Sequence, residues 1–252
     1  VFDGEYLKAD GTTLGADDGI AIAYILAVLE SNSIAHPPIE ALFTVDEEIG
    51  MIGANNLDVS LLKGKKLINI DSETEGVLTA SCAGGIRVKC EIPIEYTECN
   101  DMDFCRLSVN GLRGGHSGVD IAKGRKNGIK LLGRLLEYIS RSCEIKICTL
   151  NGGSKDNAIP SSAFADVAFK QNSRYLVEDA VKTFSQISRA ELHLTEPQLC
   201  VAVSDCEKFE RCTDIKSTKK IIFSLIQIPD GVQAMSPDIP DMVQMMKDKG
   251  YA

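Results

Sequence analysis

The chain has 252 residues, of which 44% are hydrophobic, and this is enough for one large domain or two ordinary ones. Its formal net charge of −9 argues against a nucleic-acid partner and against an anionic membrane surface as partner. No apolar run approaches the roughly 18 residues of a membrane-spanning helix, and residues 1–11 lack the regions of a signal peptide. These features predict a globular, cytoplasmic protein.

The nine cysteines are odd in number and include no Cys-x-x-Cys pair, so neither a disulfide framework nor a zinc ribbon fits them. We expect reduced thiols, most of them acting as small buried hydrophobes in a reducing compartment.

Residues 12–80 alternate short apolar runs with helical periodicity, which is typical of an α/β layer with a largely parallel sheet. Strands are predicted at residues 12–15, 41–45 and 67–70. Residues 20–30 form a predicted helix that is apolar nearly all round, so we expect it to be buried against the sheet.

From about Gly84 the predicted order changes to strand, strand, helix, strand, strand, helix, strand. Its clearest parts are strands at 104–109 and 163–169 and a helix at 126–141 with one apolar stripe. This order predicts an α+β domain of ferredoxin-like type. The paired glycines Gly84 and Gly85 suggest a boundary between domains 1–83 and 84–252, and residues 229–252 have no predicted element.

Each predicted strand of the first domain is followed by carboxylates: Asp17, the pair Glu47 and Glu48, and Asp71. Open α/β sheets bind ligands outside the carboxyl ends of their strands, so these four acids are expected to converge. Simpler interpretations stay open. Asp17 could be a helix N-cap, although Asp18 is the better candidate, and Asp71 could close a turn.

The adjacent Glu47 and Glu48 would repel each other at the end of a buried strand unless a cation lay between them. One carboxylate could then bind a metal ion while its neighbour acts as a general base on water. An exposed acidic loop that opens a helix at 49–57 is the alternative. Carboxylates alone would favour magnesium or manganese.

Three motifs occur in order along this segment, and further motifs follow. The first three are Gly15-Ala16-Asp17-Asp18-Gly19, Asp46-Glu47-Glu48-Ile49-Gly50 and Asn69-Ile70-Asp71-Ser72-Glu73. The later ones are Cys82-Ala83-Gly84-Gly85, Gly114-Gly115-His116-Ser117-Gly118, Asn151-Gly152-Gly153 and Asn157-Ala158-Ile159-Pro160. Together they resemble the dinuclear zinc exopeptidases, and the intervals of 30 residues (47 − 17) and 23 residues (71 − 48) are similar to those of the aminoacyl-histidine dipeptidases.

The resemblance implies a hydrolase that cleaves dipeptides, of Xaa-His type or more broadly, with two divalent ions, zinc foremost and manganese or cobalt as alternatives. It implies that Asp17 bridges the metals, that Glu48 and Asp71 each bind one, and that Glu47 is the general base. His116 and Asn157 would bind the substrate. The first domain would be part of a catalytic domain, and the second a lid that forms a homodimer.

The sequence departs from this family at two metal ligands, because the family uses one histidine in an early His-x-Asp motif and another near its C-terminus. The chain has three histidines, and neither His36 nor His193 fits either position. We therefore expect a fragment that is inactive alone, whose longer parent supplies the imidazoles. The alternatives are a truncated, non-catalytic protein that only self-associates, and a related N-acyl amino acid deacylase or tripeptidase.

Overall fold

The computed structural model describes the chain except residues 3, 13, 16, 73–75, 80–83, 249 and 251–252. The described residues divide into two compact units, Val1–Arg87 and Val88–Ala252. The predicted boundary after residue 83 falls at the edge of a segment outside the described residues. The assignment of one unit as catalytic and the other as lid stays a prediction.

The first unit contains helix α1 (Gly19–Glu30), the single turn α2 (Ile52–Asn55) and a 3-10 turn (Val59–Leu61). An isolated bridge joins Phe2 and Leu7. The predicted helix at 20–30 is thus present, and Asp18 caps it: the Ala21 N–H donates to Asp18 Oδ1 at 3.2 Å.

The strands predicted in the first unit are not formed among its described residues. Residues 41–45 and 67–70 have no ladder partner there, and Thr13 of the predicted strand 12–15 lies outside the described residues. Strands are held by hydrogen bonds to neighbouring strands, so an apolar sequence pattern does not form one without a partner. Leu67 and Ile68 are accordingly 87% and 83% exposed.

The prediction that α1 is buried is also wrong for this chain. Only Ala21 is buried among the described residues of the first unit, and Ile20 and Leu26 are each 52% exposed. Helical hydrogen bonds are local, whereas burial needs a second apolar surface, and the first unit has no sheet among its described residues to provide it.

The second unit holds most of the regular structure. Its strands are β1 (Tyr96–Glu98), β2 (Met102–Asn110), β3 (Gly115–His116), β4 (Ile145–Gly152), β5 (Ala158–Ile159), β6 (Ala163–Lys170), β7 (Cys200–Ser204), β8 (Arg211–Thr213), β9 (Gly231–Met235) and β10 (Val243–Lys247). Its helices are α3 (Gly128–Ser140), α4 (Arg174–Leu192) and α5 (Ile215–Gln227).

The central sheet has four antiparallel strands in the order β4-β6-β2-β7. Along the chain these strands alternate with helices as β2-α3-β4-β6-α4-β7, which is the ferredoxin-like arrangement. The predicted α+β domain is therefore confirmed. Three smaller antiparallel ladders join β1 to β8, β3 to β5 and β9 to β10. The last of these lies within residues 229–252, for which no element was predicted.

The core of the second unit lies between one face of the sheet and the helices. On β2, Cys105, Leu107 and Val109 alternate with half-buried residues and are fully buried, as expected for a strand with one covered face. The apolar stripe of α3 faces this side of the sheet. Its five predicted members are all fully buried: Ile129, Leu132, Leu135, Leu136 and Ile139. Their three- and four-residue spacing places them on one helical face.

The difference in burial between the units leads to a prediction about local stability. We expect amides of β2, β6 and α3 to exchange with deuterium at least about 10³-fold more slowly than those of α1, because a helix without packed neighbours opens at little cost. Hydrogen-exchange mass spectrometry of the 252-residue chain measures this ratio. Equal protection of α1 and α3 would contradict it.

All eight cysteines that the structure describes are free thiols. Cys105, Cys143 and Cys212 are buried, whereas Cys90 and Cys200 are exposed. Burial raises the pKa of Cys105 and Cys212, each to about 12, and for Cys212 a hydrogen bond with Cys99 adds to the effect. Burial also raises the pKa of Cys148.

These differences predict selective thiol labelling, because the thiolate is the reactive form. Iodoacetamide at pH 8 should modify Cys90 and Cys200 first, and should reach Cys105 and Cys212 only after denaturation. Peptide mapping at timed intervals tests the order, and rapid labelling of Cys212 in the folded chain would refute it.

Candidate functional site

No described helix is long and apolar enough to cross a bilayer. The residues predicted to carry the chemistry lie in two places. The carboxylates belong to the first unit, and His116 and Asn157 belong to the second.

The N-terminus of α1 separates the roles of two neighbouring acids. Asp18 accepts the Ala21 N–H and so acts as the helix cap. Asp17 precedes the cap and is joined to Asp18 by a cis peptide bond. The capping function is thus provided without Asp17, whose carboxylate can serve another purpose.

Glu47 and Glu48 lie in a tight turn. The N–H groups of Gly50 and Met51 both donate to the Glu47 carbonyl, at 3.1 and 2.9 Å, and α2 begins directly afterwards. Both glutamates are exposed. This placement agrees with the simpler expectation of an acidic turn before a helix, and it also leaves both carboxylates accessible.

Backbone packing fixes the position of this turn. The Gly53 N–H donates to the Val45 carbonyl at 3.0 Å, and a Cβ at Gly53 would lie 2.7 Å from that carbonyl oxygen and from the Val45 nitrogen. A side chain cannot fit there, so Gly53 allows α2 to fold back against the segment that leads to the two glutamates.

Asp71 connects the three acidic motifs electrostatically. Burial raises the pKa of the Asp71 carboxyl above its usual range, and the negative charges of Asp17 and Asp18 raise it further. A hydrogen bond with the Asp17 side chain and the charge of Glu48 act in the same direction. Carboxylates of the other two motifs therefore act electrostatically on Asp71, and their repulsion makes ionisation of Asp71 less favourable.

The chemistry of this donor set fits a divalent cation, because a positive charge would relieve the repulsion among Asp17, Glu48 and Asp71. The geometry does not form a closed site. Across the parts of the chain that the structure describes, no three His, Cys, Asp or Glu side chains are close enough to hold a metal ion. Asp17, Glu48 and Asp71 alone do not complete a metal site, so further ligands would be needed for full coordination.

His116 and Asn157 are brought together by the β3–β5 ladder. His116 pairs with Ala158, and the Ser117 N–H donates to the Asn157 carbonyl at 2.9 Å. Both residues are exposed. Forty residues of sequence separate them, so only the tertiary fold places the two predicted substrate-binding residues side by side.

Local hydrogen bonds determine the tautomer of the neutral His116 ring. Its Nδ1 accepts the N–H groups of Gly118, at 3.0 Å, and Val119, at 3.3 Å. A ring nitrogen that accepts two N–H groups carries no proton, so the neutral ring has its proton on Nε2. That Nε2–H group is a hydrogen-bond donor suited to a carbonyl oxygen or an oxyanion.

The glycines beside His116 are required by close packing. Gly115 has a φ of +135°, and a Cβ there would lie 2.0 Å from the Arg125 guanidinium and 2.5 Å from Asp120 Oδ2. Arg125 donates to the Gly114 carbonyl and forms an ion pair with Asp120 at 3.1 Å. The glycine pair thus lets an arginine and a carboxylate pack directly under the histidine.

Asp120 and Arg125 were missed by the sequence analysis. The Asp120 Oδ2 accepts the His116 N–H at 2.9 Å, and the Asp120 N–H donates to the His116 carbonyl at 2.9 Å. Hydrogen bonds from Lys123 and from the His116 backbone lower the pKa of Asp120. The signal that could have indicated the role of Asp120 is an acid four residues after a glycine-flanked histidine.

Residues 107–196 match the family model of the peptidase dimerisation domain. This segment includes the end of β2, the His116 loop, α3, α4 and the central strands β4 and β6. The second unit therefore contains a domain that is found in peptidases.

One dipeptidase matches nearly the whole chain, and a further peptidase matches part of it. A cytosol non-specific dipeptidase of Escherichia coli (strain K12) is 37% identical over 231 residues, which cover 91% of this chain and 48% of that protein. Peptidase T of Salmonella paratyphi C (strain RKS4594) is 41% identical over 76 residues, which cover 29% of this chain and 18% of that protein.

A solved structure of a dipeptidase also matches the chain. The crystal structure of aminoacylhistidine dipeptidase from Vibrio alginolyticus matches with a TM-score of 0.73 and 35% identity, over 100% of this chain and 51% of that one. The predicted resemblance to the aminoacyl-histidine and cytosol non-specific dipeptidases is confirmed. The chain spans about half the length of these relatives.

Proposed function

We propose that this chain forms part of a metal-dependent dipeptidase that hydrolyses Xaa-His or a broader range of dipeptides in the cytosol. The observation that carries the proposal is the raised pKa of Asp71, to which the side chain of Asp17 and the negative charges of Asp18 and Glu48 contribute. The named activities of the relatives support the substrate class.

In this proposal Asp17, Glu48 and Asp71 hold two divalent ions, with zinc foremost, and two imidazoles come from outside these 252 residues. Bound metal would supply Lewis acidity and an activated water. Glu47 takes the proton from the attacking water and passes it to the departing amine nitrogen, which is general acid–base chemistry suited to an accessible carboxylate.

His116 and Asn157 have the task of binding the substrate. The Nε2–H group of His116 donates to the scissile carbonyl oxygen and stabilises the negative charge that develops there. Asn157 lies beside His116, in the turn directly before β5, and contacts the substrate. The hydrogen bonds to His116 Nδ1 support this role, because they keep the donor proton on Nε2.

A substrate panel tests the proposed function. We expect a protein that contains this chain together with its missing histidine ligands to release amino acids from β-alanyl-histidine and other dipeptides. Chelation should lower the rate at least about 10²-fold, and Zn²⁺ or Mn²⁺ should restore it. Turnover of N-acetyl amino acids or tripeptides without dipeptide cleavage would favour the alternative deacylase or tripeptidase.

The match to a peptidase dimerisation domain favours self-association as a second function of residues 107–196. We propose that the second unit forms a homodimer whether or not the chain is catalytic. Analytical ultracentrifugation of the 252-residue chain tests this directly. A dimer that binds neither Zn²⁺ nor Mn²⁺ would support the interaction function alone, and a monomer at all concentrations would exclude it.

A further inference from the structure

A buried carboxylate joins the two ends of the loop that carries His116. Glu196 follows α4 and is only 2% exposed. Its Oε2 accepts the Arg113 N–H at 2.8 Å, and its Oε1 accepts the Lys126 N–H at 2.9 Å. One side chain thus holds both ends of residues 113–126, a segment that begins 83 residues earlier in the sequence.

The hydrogen-bonding pattern requires a carboxylate at this position. A buried carboxylate is costly unless donors satisfy it, and here each oxygen receives one backbone N–H. Glutamine has the same shape but offers only one acceptor oxygen, and its amide group would face the other N–H donor to donor. The site therefore distinguishes glutamate from glutamine by chemistry and not by size.

A short series of contacts leads from Glu196 to the imidazole. Lys126 follows Arg125, whose guanidinium donates to the Gly114 carbonyl and pairs with Asp120. The Asp120 carboxylate in turn accepts the His116 N–H at 2.9 Å. At the other end, Arg113 immediately precedes Gly114. Both sides of the His116 turn are thus tied to backbone groups that Glu196 holds.

We propose that Glu196 is a positioning residue that holds the 113–126 loop in the conformation where His116 Nδ1 accepts the Gly118 and Val119 N–H groups, so that Nε2–H is available to a substrate oxygen. The value of this arrangement for catalysis rests on the proposed function of His116. The positioning itself is a property of the chain and can be measured without activity.

The test is ¹⁵N NMR of the histidine side chains in the 252-residue chain. Only three histidines are present. The Nδ1 atoms of His36 and His193 instead contact carbonyl oxygens, at 2.8 and 2.9 Å, so their neutral rings should carry the proton on Nδ1. At a pH where the rings are neutral, the His116 signals should be those of the Nε2–H form and easily distinguished.

The variants are Glu196→Gln and Glu196→Leu, with Glu191→Gln as matched control. Glu191 lies on α4 and forms an exposed ion pair with Arg134, so its loss should leave the His116 loop unchanged. In Glu196→Gln we expect the two His116 nitrogen signals to move toward their average as the tautomer preference is lost. Amide exchange at Arg113 or Lys126 should quicken about tenfold, as expected for the loss of one hydrogen bond.

The proposal is overturned if folded Glu196→Gln and Glu196→Leu retain the wild-type His116 signals. If both variants fail to fold, exchange in the unmodified chain decides the matter: Arg113 and Lys126 amides that exchange as fast as exposed amides exclude the clamp, and protected amides support it.

Kinetics separate this proposal from the proposed function. In the active protein, Glu196→Gln should lower kcat more than it raises KM, because misplacing the Nε2–H donor affects the transition state most. A His116→Ala variant with unchanged kcat/KM would contradict the proposed role of His116 in substrate binding. The NMR measurement would remain a separate test of the Glu196 proposal.

Discussion

Replacing Glu47, the proposed general base, with glutamine should lower kcat of the proposed dipeptidase about 10²–10⁴-fold, the range typical of a lost general base. Glutamine keeps the size of the side chain but cannot accept a proton from water at neutral pH. The Glu47 backbone carbonyl, which accepts the Gly50 and Met51 N–H groups, is not altered by the change, so the turn should persist. Steady-state kinetics with a dipeptide substrate measures the effect.

Two comparisons make the Glu47 result specific. Glu30→Gln at the end of α1, also an exposed glutamate of the first unit, should retain full activity. Glu48→Gln should weaken metal binding, which calorimetry or metal analysis detects, whereas Glu47→Gln should leave the bound metal content unchanged. A Glu47→Gln enzyme with near-normal kcat would show that another group takes the proton.

The second large effect should come from Arg106, which supports a buried acid on the sheet. Its Nε and Nη2 donate to the two oxygens of Asp166 at 2.7 and 2.8 Å, and Thr149 Oγ1 donates to Asp166 Oδ2 at 2.7 Å. The guanidinium also lies 4.2 Å from the centroid of the Phe164 ring. Asp166 is 1% exposed, so loss of Arg106 leaves a buried charge with one remaining side-chain donor.

The Arg106 side chain is 42% exposed, whereas its partner Asp166 is buried. We therefore expect Arg106→Met to lower the free energy of unfolding by about 2–3 kcal/mol, because the buried carboxylate is left uncompensated. Arg134→Met is the matched control: it removes an exposed pair with Glu191 and should cost less than about 1 kcal/mol. Urea unfolding followed by circular dichroism compares the two. A similar decrease in the free energy of unfolding for both variants would show that burial of Asp166 does not increase the cost of losing its arginine partner.

The same pair predicts how stability depends on pH. Burial raises the pKa of Asp166, but hydrogen bonds from Arg106 and Thr149 outweigh this and lower the net pKa below its ordinary value. A carboxylate whose pKa is lower in the folded state stabilises the fold above the unfolded pKa, about 3.9, and this contribution is lost as the pH falls through the folded pKa. The difference in stability between the wild-type chain and Asp166→Asn should therefore narrow below about pH 4.

The second unit could be predicted well because its signals are local and its partners lie within the chain. The spacing of Ile129, Leu132 and Leu135 gave one helical face, and the order of elements from residue 102 onward gave the ferredoxin-like sheet. Here each apolar pattern meets another apolar surface of the same unit. Local pattern and tertiary structure consequently agree.

The first unit could be predicted only in part. The α1 helix and its Asp18 cap follow from local sequence, because a cap and i to i+4 hydrogen bonds need no distant partner. The strands at 41–45 and 67–70 depend on hydrogen bonds from neighbouring strands, which the described residues of this unit do not provide. The exposure of Leu67 and Ile68 follows directly from that missing pairing.

The residue types predicted to carry the chemistry follow from local sequence alone: acids in three ordered motifs and a histidine among glycines. Three features depend on the three-dimensional fold: the negative charges of Asp17 and Asp18 raise the pKa of Asp71, Asn157 lies beside His116, and Glu196 joins the two ends of the His116 loop. A motif is a pattern of neighbouring residues, whereas charge repulsion, strand pairing and the hydrogen bonds of Glu196 to distant amides act between residues far apart in the sequence. The residues around Glu196 in the sequence do not indicate which distant backbone N–H groups will donate to its carboxylate.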